Sequence, residues 1–236
     1  MRTRISLWLF AVVIFGLQLT ASAETEERKL SAFTEISLRI PAKLYVRQGD
    51  VQKVTIDAKA SVLKEIITEI SDRALVIRFP AKNYFLRNPD FGSIVIYITV
   101  PEITGLNLSG SGDIDAGNTL SSLIMDVNIS GSGNINLSDL KAERVKAVIS
   151  GSGNIILKGS KVAAEFTGTI SGSGNIKAQQ LEADEVKVTI SGSGNCSIRS
   201  NGHCSVRIAG SGSFFYSGNP DVDSTVAGSG RVKENN

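Results

Sequence analysis

The hexapeptide SGSGNI at Ser130–Ile135 returns along the chain, and its spacing decides the fold. Copies begin at Ser109 (SGSGDI), Ser130, Ser150 and Ser171 (all SGSGNI), Ser191 (SGSGNC), Ala209 (AGSGSF) and Ala227 (AGSGRV). The steps between them are 21, 20, 21, 20, 18 and 18 residues. A flexible Gly/Ser linker keeps no such period and sets no apolar residue at a fixed offset. A period near 20 residues is the mark of a repeat architecture, with the hexapeptide as its corner.

Ser130–Ile149 (SGSGNINLSDLKAERVKAVI) serves as the template rung. After the corner, Ile135 and Leu137 share one strand face; after a polar turn, Val145, Ala147 and Ile149 share another. The residue following the corner Asn position is Ile114, Ile135, Ile155, Ile176, Cys196, Phe214 and Val232 in turn. The residue preceding each corner is Leu108, Ile129, Ile149, Ile170, Ile190, Ile208 and Val226. Such columns of like residues are what a solenoid makes by laying each rung on the last.

The corner residues Gly112-Asp113, Gly133-Asn134, Gly153-Asn154, Gly174-Asn175 and Gly194-Asn195 are read as structural. Glycine is expected there to supply positive φ, and asparagine to tolerate the left-handed region. Stacked at about 4.8 Å, the Asn amides are expected to bond as a ladder, and neighbouring serines to add hydroxyl–backbone bonds.

Residues 33–104 follow a different grammar. Runs such as KLYVRQ, KVTIDA, ALVIRF and SIVIYITV alternate partly and are rich in β-branched residues, with turn-like breaks between them. Val62–Ile70 has apolar spacing compatible with a short helix and stays undecided. Residues 80–92 form the longest irregular segment, with Tyr84, Phe85 and Phe91. The expected fold is all-β: an N-terminal β-rich segment (24–104), then a parallel β-solenoid or β-helix of about seven coils (105–232), and a polar tail (233–236).

The first 23 residues read as a signal peptide. Arg2 and Arg4 precede the apolar run Ile5–Leu19, and Ala21-Ser22-Ala23 fits a cleavage site. The run is short for a membrane span, so cleavage to leave Glu24 as the first residue is expected. No later stretch is long and apolar enough to span a bilayer, and no cysteine near the cleavage site offers lipid attachment. The expected product is exported and soluble, periplasmic or at the cell surface. Without Arg2 and Arg4 the 25 basic residues become 23, against 23 acidic ones, with no block of like charge. Nucleic acid, which demands clustered Lys and Arg, is excluded as a partner.

Catalytic chemistry is sparse. The single histidine, His203, sits in a turn without an advertised relay, and one His cannot make a multi-His metal site. Acidic residues such as Asp139, Glu143, Glu165 and Glu182 mix with lysines and arginines as on a solvated face. GSGDID at Gly110–Asp115 is like a calcium nonapeptide, yet later corners replace Asp113 by Asn, Ser or Arg, and the period is too long. No catalytic, cofactor or metal residue is assigned. Cys196 and Cys204, eight residues apart and both in inward slots, invite a disulfide in an exported protein. Two free buried thiols are the alternative, and the spacing leaves both open.

The repeated corners, together with YVRQGD and YITVPEITGLNLSGSGDI, resemble the auto-transporter adhesin family named for its head GIN domain. The resemblance covers roughly residues 33–232. It implies a β-rich extracytoplasmic protein with a parallel β-helix-like repeat, of the kind common in Gram-negative bacteria. The last three corners drift from the motif, as a capped solenoid end would. The resulting expectation is a non-enzymatic extracytoplasmic binding or adhesin-like module contacting a glycan or a surface protein, without a cofactor. The alternatives are an envelope scaffold or spacer and a carbohydrate-active enzyme on a β-helix. The corner strip carries no aromatics on which sugar rings could stack.

Overall fold

A computed structural model describes residues 23–80 and 91–235. The expected leader lies outside the described residues up to Thr20-Ala21-Ser22, as do Tyr84 and Phe85. All described strands join one 18-stranded sheet that coils on itself.

The N-terminal strands are β1 (Ala23–Glu27), β2 (Glu35–Leu38), β3 (Lys43–Gln48) and β4 (Lys53–Lys59), then a one-turn helix α1 (Ala60–Leu63). The hairpin β5 (Ile67–Ser71) and β6 (Ala74–Arg78) follows, and then β7 (Val95–Val100). The undecided segment 62–70 is thus divided: Val62 and Leu63 end α1 with buried side chains, and Ile67 begins β5. Asp72 and Arg73, at φ 50° and 68°, make the two-residue hairpin turn whose central residues need positive φ.

The rungs are built from β8 (Gly105–Gly110), β9 (Asp113–Gly131), β10 (Asn134–Gly151), β11 (Asn154–Lys158), β12 (Ala163–Gly172) and β13 (Asn175–Gly192). They continue through β14 (Asn195–Arg199), β15 (His203–Gly210), β16 (Ser213–Ser217), β17 (Asp221–Gly228) and β18 (Arg231–Glu234). All pair in parallel, so that Ile135 lies on Ile114 and under Ile155, and Ile149 between Ile129 and Ile170. Seven corners bound about six turns, which meets the expectation of about seven coils closely.

Alternation explains the coil: residues pointing in are apolar and buried, residues pointing out are polar. Both columns are fully buried through Phe214 and Ile208 respectively. At the C-terminal rung Val226 is 39% exposed, because no described strand covers β17. No cap is therefore present over that rung among the described residues.

Parallel pairing also runs N-terminal of residue 105. Strand β2 lies between β6 and β8, and β3 between β7 and β9, all parallel. Among the described residues only β1–β4, β4–β7 and β5–β6 are antiparallel. This sets Tyr45 in register with Tyr97 on one side and Asp115 on the other.

Candidate functional site

The predicted corners come together as a single column along the solenoid. Asn154 donates to Asn134 (2.9 Å), Asn175 to Asn154 (3.0 Å) and Asn195 to Asn175 (2.9 Å). Asn134 in turn donates to Asp113 Oδ1 (2.8 Å), and Asn195 Oδ1 accepts the Ser213 amide. The Asp113 carboxylate therefore begins the ladder by accepting a hydrogen bond.

The glycine chemistry differs from the sequence expectation. Positive φ belongs to the first glycine of each corner: Gly110, Gly131, Gly151, Gly172, Gly192, Gly210 and Gly228, at 111–136°. This geometry aims each carbonyl at the next rung, where Gly131 O accepts both the Ser152 and Gly153 amides. Gly133, Gly153, Gly174 and Gly194 are needed for a different reason, close stacking. A Cβ on Gly153 would overlap the Gly133 carbonyl oxygen and approach Ile129 Cγ2 to 2.8 Å. Asparagine likewise serves the ladder and not the left-handed region, because only Asp72 and Arg73 among the described non-glycines have positive φ.

Cys196 and Cys204 are free, buried thiols. Burial pushes both thiols up from the ordinary cysteine range, with the neighbouring Cys204 adding to the effect on Cys196. A neutral buried thiol is a poor nucleophile. His203 begins β15, where Nδ1 lies 3.6 Å from Asp221 and Nε2 4.0 Å from Asp223. Among the described residues no group of three or more His, Cys, Asp or Glu could hold a metal ion.

A concave site lies elsewhere, where the first rung meets the non-repeating N-terminal strands. Strands β4, β7, β3 and the start of β9 enclose a cleft of about 420 Å³. Its floor is the outward row Thr55–Tyr97–Tyr45–Asp115, one residue from each strand. Strand alternation puts Leu44, Val46, Ile96 and Ile98 in the core and leaves both tyrosines outside. The Tyr45 and Tyr97 rings stack with centroids 5.4 Å apart and planes 13° from parallel. Tyr97 is 47% exposed, and its small neighbour Thr55 leaves space beside the ring.

Polar groups fix this cleft. Lys43 Nζ sits 5.2 Å from the Tyr45 centroid and 3.7 Å from Asp115. The Tyr45 hydroxyl and the Asp115 carboxylate hold the Lys43 ammonium above the usual lysine range. Asp115 also accepts from Asn136 (3.2 Å). Lys53 pairs with Glu27 at 3.2 Å. Arg47 Nε donates to Thr99 Oγ1 at 2.7 Å, which aligns the guanidinium along the rim. Gln48 ties the rim together by donating to Pro101 O and Ser121 O and accepting the Ser121 amide.

Residues 32–220 match the family described as "Putative auto-transporter adhesin, head GIN domain". The chain belongs to that family. Its fold is that of solved structures at low identity. A putative adhesin from Bacteroides fragilis superposes with a TM-score of 0.84 at 23% identity, over 91% of this chain and 97% of that one. A putative lipid binding protein from Parabacteroides distasonis gives 0.74 at 23% identity, over 92% and 98%. A putative adhesin from Parabacteroides merdae gives 0.69 at 20%, over 92% and 98%. No curated protein matches the chain.

In this GIN-domain chain a second depression, about 490 Å³, lies on the rungs between Arg144 and His203. Glu165 and Glu185 stand there in register on adjacent rungs, as carboxylates of a glycoside hydrolase must stand near one another. No aromatic lines it, and both glutamates are solvent-exposed. The tyrosine cleft was not singled out in the sequence. A signal existed, because KLYVRQ and VIYITV each place one Tyr on the polar face of an alternating strand. Their pairing across 52 residues needed the register.

Proposed function

We propose that this protein is an exported, non-catalytic binding module, adhesin-like, that holds a glycan in the Tyr45–Tyr97 cleft. The observation that carries this reading is a stacked pair of exposed tyrosines, set by strand register on a rigid solenoid. Sugar rings present C–H faces that pack on aromatic faces, and aromatic rings supply contact area at little conformational cost. The volume falls within the range of small-ligand pockets, and polar groups at its edge can orient hydroxyls. Family membership agrees with a binding role. The corner strip suits scaffolding better than recognition, because each ladder amide already engages its neighbours.

Export rests on the leader and is checked by mass spectrometry of the protein from its own cells. Glu24 as the first residue is expected, and retention of Arg2 or Arg4 overturns it. A glycan array probed with the chain from Glu24 onward tests the binding role. Selective, saturable binding is expected; a uniformly blank array favours the envelope spacer. Turnover of any arrayed polysaccharide would instead favour an enzyme, with Glu165 and Glu185 as its first suspects.

A further inference from the structure

We infer that the tyrosine cleft selects acidic glycans, with Arg47 taking the carboxylate of a uronic acid whose ring lies against Tyr97; this rests on the glycan-binding reading above. The charges around the cleft carry the inference. Five charged side chains, Lys43, Arg47, Lys53, Asp115 and Glu27, stand in or beside it. Lys43 and Asp115 neutralise each other at 3.7 Å, and Lys53 is neutralised by Glu27 at 3.2 Å. Arg47 meets no carboxylate among the described residues. Its one hydrogen bond, Nε to Thr99 Oγ1, leaves the terminal nitrogens available and orients the fork.

A guanidinium held in this way matches a carboxylate through two parallel N–H···O bonds. Register fixes the distance to the aromatic platform. Arg47 follows Tyr45 by two residues on the same face, and Thr99 follows Tyr97 in the same manner on the paired strand. The anchoring charge therefore stands about 7 Å along the strand from the ring row, near the span of one pyranose with its exocyclic carboxylate. A neutral sugar would leave that guanidinium unmatched in the cleft. A phosphorylated headgroup without a ring, such as phosphoethanolamine, could satisfy the charge but offers no C–H ring face to the tyrosine.

The test uses oligogalacturonate and its methyl-esterified form, which keep the same rings and differ in charge. Isothermal titration of the protein from Glu24 onward is expected to give saturable binding of the acid form. The ester is expected to bind about tenfold more weakly, as is the acid form to Arg47→Gln. Arg47→Gln should bind both forms equally, and Arg47→Lys should regain only part of the preference, since an ammonium lacks the fork. Added salt should weaken the acid form alone. Equal binding of acid and ester by the unaltered protein overturns the acidic selectivity and leaves glycan binding standing. Failure of both forms, with neutral oligosaccharides binding on the array, also overturns the selectivity alone. Failure of every glycan overturns both readings. Loss of fold in Arg47→Gln, read by circular dichroism, is not expected of an exposed rim residue, and the ester comparison on the unaltered protein does not depend on it.

Discussion

The corner column and the tyrosine cleft belong to one coiled sheet and follow opposite rules. Along the central corners residues meet copies of themselves, so that Gly131 stacks on Gly110 and Asn154 bonds Asn134. A self-stacking column satisfies its own amides and carbonyls, rung after rung, and leaves few polar groups for a stranger. In the cleft the row changes along its length: Thr55, the Tyr97–Tyr45 pair and Asp115 stand side by side. Unlike side chains leave gaps, an unmatched cation and exposed ring faces. Repetition marks the scaffold, and under the proposed function its interruption marks the place for a ligand.

The largest effect expected from this contrast is on stability at a corner. Gly153→Val drives a branched side chain into the Gly133 carbonyl and Ile129, and should destabilise by about 3–5 kcal/mol in thermal or urea melts. Gly230→Val meets the same kind of overlap with Gly212, but on the terminal rung, which can fray locally. It should cost under about 1 kcal/mol. Equal losses at the two sites would mean that the solenoid does not fray from that end.

The reverse pattern is expected in the cleft. Tyr97→Ala removes a half-exposed ring and should lower glycan affinity about tenfold or more, while costing under about 1 kcal/mol of stability. A large drop in melting temperature would show that the tyrosine pair is structural.

Asn154→Ala sits between these extremes. It breaks one ladder bond on each side, and about 1 kcal/mol should be lost. The smallest effect is on pH dependence at Asp139. The Thr119 hydroxyl at 2.6 Å and the Ser160 amide at 3.1 Å hold its carboxyl below the usual aspartate range. A depressed folded value favours the folded state above the unfolded value, near about pH 4, and that advantage fades as pH falls through the folded value. Asp139→Asn should remove a small acid-side slope from the stability profile, leave the profile flat near neutrality, and lower stability slightly there by losing the carboxylate's hydrogen bonds.

The solenoid was legible because its signal is periodic. Seven corners and two apolar columns specify parallel stacking without long-range information, and the Asn ladder follows from strand spacing. The division of labour between the two glycines was not legible, since positive φ and close stacking both demand the same residue. Which glycine does which depends on where Gly131 O must point to reach Ser152 and Gly153. The cleft was illegible for the opposite reason. Tyr45 and Tyr97 occur once each, in strands that are not consecutive, and β4, β5 and β6 intervene before β7 returns to pair with β3. Alternation could put each ring outside, but only the register sets them face to face.

The most direct test of the central contrast is to titrate a glycan that binds the unaltered protein into Tyr97→Ala and Asn154→Ala side by side. Tyr97→Ala should lose about tenfold or more in affinity with its fold intact, and Asn154→Ala should bind within about twofold of the original despite its lower melting temperature. Binding lost in Asn154→Ala and kept in Tyr97→Ala would contradict the account and make the repeated corner the recognition surface.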